Sequence, residues 1–259
     1  MKKISIVFLF LIFLLLPSCG LLVDSVVPMG DRTIEDYSAA HFNKIAVSGS
    51  ISLKIVNGED RQVEIETFEN VHDYIETSVF GNELTIKTRN NTIFTKNPDI
   101  MVYVTADLIN GVSTSGSSDL YFVNYETDDI TIKSSGSSDI FGELTASSIS
   151  FNTSGSSETD LVIDCKNLTG KDSGSSHYKL EGKTENYDLT CSGSSKVEAF
   201  ELNTVNTNIK ASGSVKVDIS VSESLHTHVS GSGHIRYKGE PNTLQNVISG
   251  FSGKVEKVD

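Results

Sequence analysis

Apolar and polar residues alternate with a period of two along most of this 259-residue chain. Ile130 and Ile132, Ile149 and Phe151, and Tyr187 and Leu189 lie two apart. So do Leu120 and Phe122, Val197 and Ala199, Val217 and Ile219, and Ile235 and Tyr237. The residues between are mostly polar. This alternation predicts strands with one buried face, and no window offers the three-and-four spacing of a buried helix face.

The strand pairs are joined by one phrase. It stands at Ser115-Gly116-Ser117-Ser118-Asp119, Ser135-Gly136-Ser137-Ser138-Asp139, Ser154-Gly155-Ser156-Ser157-Glu158, Ser173-Gly174-Ser175-Ser176-His177 and Ser192-Gly193-Ser194-Ser195-Lys196, and more loosely around Gly213, Gly231 and Gly250. From Gly116 the glycines recur at intervals of 20, 19, 19, 19, 20, 18 and 19 residues. With the glycine as position zero, positions −6, −4, +4 and +6 are mostly apolar. Small residues share their inward parity at −2 (Thr114, Thr153, Cys191, Ala211, Val229) and at +2 (Ser118, Ser138, Ser157, Ser176, Ser195). Glycine suits the bend because it tolerates backbone angles closed to other residues. The polar stretches Asn124 to Asp129, Asp164 to Asn167 and Glu181 to Glu185 read as outer turns.

Strand, bend, strand and turn, repeated at this period, predict an all-β fold: a parallel β-helix (solenoid) whose coils stack about 4.8 Å apart. The inward serines need partners, which stacked hydroxyls can give one another up the column. A β-sandwich would also carry turn signals at regular spacing, but its strands need not repeat one five-residue phrase.

The N-terminal end breaks the pattern. Lys2 and Lys3, the apolar run Ile4 to Leu16 and the closing Leu16-Pro17-Ser18-Cys19 read as a secretory signal over residues 1–18, too short for a comfortable membrane span. A cysteine at that spot resembles the bacterial lipoprotein signal, in which Cys19 becomes the lipidated first residue. A soluble protein cut nearby is the competing reading. Gly20 stands where Asp would hold a Gram-negative lipoprotein back, so by analogy the expected address is the cell envelope, lipid-anchored in the outer membrane, periplasmic or surface-exposed. Residues 19–30 then form the lipidated cysteine and a short tether, and 31–259 a β-helix domain. Within it, 31–110 are irregular coils capping one end and 111–259 the regular coils. Hairpins are expected where Asn57-Gly58 separates Ile51 to Ile55 from Val63 to Ile65, and where Gly81-Asn82 separates Ser78 to Phe80 from Leu84 to Ile86.

Charge narrows the partners. Removing residues 1–18 takes away two lysines and no acid, moving the net charge from −13 to −15. Such a chain repels nucleic acid and anionic lipid, so nucleic acid is not an expected partner, and the membrane is reached through the anchor on Cys19. Cys165 and Cys191 fall at +10 and +17 of consecutive coils, too far apart around the perimeter for an expected disulfide.

Asp31-Arg32-Thr33, Phe42 to Ser50, Val63-Glu64-Ile65-Glu66, Leu84-Thr85-Ile86 and the Ser-Gly-Ser-Ser-Asp coils, in that order, resemble the family described as putative auto-transporter adhesin, head GIN domain. The resemblance covers about residues 31 to 257 and implies a right-handed parallel β-helix in an envelope protein of Bacteroidetes. It supplies no catalytic residues.

Three function classes remain. An enzyme would use the outward acids at +3, Asp119, Asp139 and Glu158, one coil apart and near the separation of a retaining glycosidase. That row then turns into His177, Lys196, Lys216 and His234, and no arginine lies between Arg89 and Arg236 to clamp an acidic sugar. Calcium on the same acids stays open. His226-Thr227-His228 puts two imidazoles on one strand face, but Asn208, Lys210, Gln245 and Val247, the expected neighbours, offer no third ligand. No catalytic residues, metal or cofactor are expected. The favoured class is a non-enzymatic, adhesin-like binding solenoid for a glycan or protein ligand. Its face holds Tyr121 and Phe141 at +5 beside Asp119, Asp139 and Glu158. A polysaccharide-processing enzyme and a purely structural envelope spacer are the alternatives.

Overall fold

The computed structural model describes residues 23–37, 41–250 and 252–259. The signal expected over 1–18 and Cys19 lie outside the described residues. Irregular strands come first: β1 (Asp24–Val26), β2 (Arg32–Asp36), β3 (Lys44–Gly49), β4 (Ile51–Val56), β5 (Gln62–Phe68), β6 (Ile75–Phe80), β7 (Glu83–Thr88), β8 (Thr92–Phe94) and β9 (Ile100–Thr105). The regular run follows: β10 (Gly111–Gly116), β11 (Leu120–Gly136), β12 (Ile140–Gly155), β13 (Glu158–Asp172), β14 (His177–Gly193), β15 (Lys196–Gly213) and β16 (Lys216–Gly231). The last strands are β17 (His234–Lys238), β18 (Thr243–Ile248) and β19 (Lys254–Lys257). All but β1 and β8 join one sheet, wound as a β-solenoid of about eight turns.

Every coil from β11 to β16 pairs in parallel with the next, glycine over glycine: Gly116 with Gly136, Gly136 with Gly155, Gly193 with Gly213, and Gly213 with Gly231. Two constraints fix the residue there. Gly136 has φ +102°, and a Cβ on it would stand 2.4 Å from the Gly116 carbonyl oxygen. That close approach lets the next amide donate to the glycine carbonyl one coil below, as Ser137 does to Gly116 (2.8 Å) and Ser156 to Gly136 (2.9 Å). The repeated phrase is thus the sequence of a backbone ladder turning a corner.

The alternation places Leu120, Phe122, Ile130 and Ile132 of one coil, and Ile140, Leu144, Ile149 and Phe151 of the next, in a continuous core. The +2 serines are buried, as their parity requires. Ser157 donates to Ser176 at 3.3 Å, and Ser118 donates to the Gly49 carbonyl at 3.1 Å.

At the N-terminal end the winding is out of chain order. β3 and β4 lie directly against β10 and β11, with Gly49 in register with Gly116. β7 and β9 form the layer beyond them, and β5 and β2 close it by antiparallel pairing. Only one of the two expected hairpins forms, β6–β7 around Gly81-Asn82. β4 and β5 do not pair, because β9 lies between them, parallel to one and antiparallel to the other. Asn57 works instead as a strand surrogate, its side chain donating to the Glu126 carbonyl (2.9 Å) and accepting from the Glu126 amide (2.7 Å).

Candidate ligand-binding face

The inward packing of Leu120, Phe122 and Ile140 turns Asp119, Tyr121, Asp139 and Phe141 outward. Tyr121 and Phe141 are register partners in β11 and β12. Their rings stack with centroids 5.5 Å apart and planes 22° apart, each half-buried. Exposed Val123 and Val162 lie on the same face. On the other side Tyr121 is in register with Lys54 of β4, and Lys54 with Tyr103 of β9. The Lys54 ammonium sits 6.0 Å from the Tyr103 ring centroid. Sequence reading missed this extension because β4 and β9 become neighbours of β11 only through the out-of-order winding.

Beside the rings runs the +3 row. Its first part is Asp119, Asp139 and Glu158; from Glu158 the register continues through His177, Lys196, Lys216, His234 and Lys254. Among the described residues, all of the cationic part except Lys216 is paired with acids in the +5 column. His177 (2.6 Å) and Lys196 both reach Glu198, while His234 (2.6 Å) and Lys254 both reach Glu256. Hydrogen bonds from Lys196 and from Lys254 hold the Glu198 and Glu256 carboxyls below the usual carboxylate range. In the first two coils the +5 column carries Tyr121 and Phe141, and among the described residues Asp119, Asp139 and Glu158 enter no ion pair. Burial raises the Asp119 carboxyl, a backbone hydrogen bond from Asp139 partly offsets that, and the Asp139 charge raises it again. The Tyr121 hydroxyl is raised by burial and then by Asp119 and Asp139. Asp139 Oδ1 accepts from the Glu158 amide at 2.9 Å.

Other chemistry lies elsewhere. Among the described residues no three His, Cys, Asp or Glu side chains converge as a metal site. His226 and His228 stack on Asn208 and Lys210 on one side and on Gln245 and Val247 on the other. Cys165 and Cys191 are free and buried. At the second bend a groove of about 1160 Å³ runs across the coils, lined among others by Thr145, Cys165, Lys183, Thr184, Asn203 and Thr204. Small inward residues at that corner leave the space, and its rim carries both charges, with Lys183 paired to Asp164 at 3.0 Å.

The residue most clearly missed is Asp172, a buried acid at −2. Its carboxylate accepts from Thr153 (2.9 Å), Ser176 (2.9 Å) and Ser195, while Thr153 also bonds the buried Tyr178 hydroxyl. The signal was present: a charge stands where the other coils carry Thr, Ser, Cys, Ala, Val or Ile.

A sequence model of the family described as "Putative auto-transporter adhesin, head GIN domain" matches residues 41–241. Crystal structures of three proteins share the fold. A protein from Parabacteroides distasonis described as a putative lipid binding protein aligns with TM-score 0.83 at 20% identity, covering 91% of this chain and 100% of that one. A putative adhesin from Parabacteroides merdae aligns with TM-score 0.79 at 22% identity, over 92% and 100%. One from Bacteroides fragilis aligns with TM-score 0.71 at 21% identity, over 90% and 100%. No curated protein matches in sequence.

Proposed function

We propose that this chain, which belongs to the putative auto-transporter adhesin, head GIN domain family, acts as a non-enzymatic, adhesin-like binding solenoid displayed from the cell envelope. The observation that carries this reading is the stacked Tyr121–Phe141 pair, an outward aromatic strip on an otherwise charged ladder, beside carboxylates with no cationic partner. Outward aromatics that pack on each other but leave their edges in solvent are candidate contact surfaces. The non-enzymatic part is supported by the repeat character of the acid row, which becomes a cationic row in the same register, and by the amide that occupies Asp139. No helix among the described residues is long and apolar enough to cross a membrane, and in this reading a lipid on Cys19 is the attachment.

Cells displaying the Tyr121→Ala, Phe141→Ala double variant should lose adhesion while the protein keeps its β-rich circular dichroism and melting temperature. Substitution of Ser194 and Lys196, several coils away, should leave adhesion intact. Cys19→Ser should leave the protein unlipidated and outside the membrane fraction. A folded double variant that adheres like wild type would overturn the face assignment, and membrane partition of the Cys19→Ser variant would overturn the anchor.

A further inference from the structure

The +3 row has two halves that differ in one respect. Where the neighbouring +5 column supplies Glu198 and Glu256, His177, Lys196, His234 and Lys254 at +3 are held by a carboxylate, while Asp218 beside Lys216 pairs with Arg236 instead. Where that column supplies Tyr121 and Phe141, the +3 acids face rings that carry no charge. The aromatic pair therefore occupies the places where counter-ions for Asp119 and Asp139 would otherwise stand. A half-buried carboxylate beside a like charge that enters no ion pair destabilises the fold more than a neutral residue would.

We propose that this face takes an extended polypeptide segment bearing lysine or arginine side chains. The assignment rests on the reading of the Tyr121–Phe141 face as a binding site and names its partner by charge. Three carboxylates on successive rungs span about 10 Å at the coil spacing, and an extended chain projects same-side residues about 6.8 Å apart. Two basic side chains of one strand can thus reach the row together. Their methylene stems find apolar surface on the ring edges and on exposed Val123 and Val162, while their heads meet the acids. A single metal ion fits less well, since no three donors converge here among the described residues.

The test uses the full chain and a fluorescent peptide of alternating lysine and serine, with a glutamate–serine peptide and a neutral linear oligosaccharide as comparison probes. Fluorescence anisotropy should show the lysine peptide binding, and binding should weaken as salt rises. The triple variant Asp119→Asn, Asp139→Asn, Glu158→Gln should weaken it by about tenfold or more, as loss of paired charges at an interface does. Equal charge removal at the groove (Glu126→Gln, Asp164→Asn, Glu185→Gln) should change it by less than about twofold, the scale of screened exposed charges. Asp119→Asn alone should melt at or above the wild-type temperature, since it removes a charge the fold disfavours. An equal loss in both triple variants would mean diffuse attraction to an acidic protein and overturn the proposal. Binding of the oligosaccharide alone, lost in the Tyr121→Ala, Phe141→Ala variant, would overturn the cationic partner but keep the face. No binding of any probe, together with wild-type adhesion by that double variant, would remove both.

Discussion

Asp172 shows what one residue does in a repeat. In β10 to β16 the buried position two before the glycine is elsewhere filled by Thr, Ser, Cys, Ala or Val, which need little from their neighbours. A carboxylate there must be satisfied from several coils, and it is: Thr153 lies in the coil before, and Ser176 and Ser195 at corners after it. The serine column that the sequence predicts as self-pairing is therefore partly organised by an acid. Period-two reasoning finds the column, because parity alone decides what points inward. It does not find the partner, because which hydroxyl reaches which oxygen depends on stacking geometry. Asp172→Ala leaves three buried hydroxyl donors without that acceptor, for a loss on the order of 3 kcal/mol, while Asp172→Asn, which keeps one oxygen, should lose about 1 kcal/mol. Urea unfolding of both variants checks this, and equal stability of the two would mean that the oxygen kept by Asn accepts none of these hydrogen bonds.

At the scale of elements, strands with strict alternation were legible and their partners were not always so. β11 to β16 follow the sequence period and stack in order, so glycine spacing sets the register. β4 and β5 carry equally good alternation, yet β9 lies between them. A turn signal such as Asn57-Gly58 reports local backbone preference, whereas pairing is settled by which strand completes the core. The bend inside β11 shows the same dependence. Tyr125 follows Asn124, which has φ +44°, and its buried hydroxyl accepts the Ile109 amide at 2.7 Å. Burial pushes the Tyr125 hydroxyl up to about 12 from its usual 10.0. A folded value above the unfolded one means stability is complete below the unfolded pKa and is lost as pH rises through the folded one. Thermal melts should therefore fall between about pH 10 and 12, with a contribution from Tyr125 of roughly 2–3 kcal/mol. Tyr125→Phe should be less stable at neutral pH, having lost the Ile109 bond, but should show a shallower alkaline decline. An unchanged decline would assign the effect to the other buried tyrosines.

The whole molecule is a stack in which each coil touches only its neighbours, so stability is set locally and its profile follows the number of covered sides. The two ends differ. β5 and β2 close the N-terminal layer by antiparallel pairing, which interrupts the parallel stacking, and the Tyr103–Lys54–Tyr121–Phe141 strip lies within a few rungs of that closed end. At the other end all six residues of β18 are exposed, although Leu244 and Ile248 are in register with the buried Leu225 and Val229. The inward parity continues to the last strand while the cover does not. This asymmetry bears on function, because a contact surface gains from the rigid end and loses little from a mobile one. Amide hydrogen exchange should be slowest in β12 to β15, which have a coil on both sides. It should stay slow in β4 and the first half of β11 beneath the candidate face, and become fast in β18 and β19. Slow exchange at β18, with fast exchange around Tyr121 and Phe141, would place the rigid end opposite the aromatic strip and remove this argument for a preorganised face.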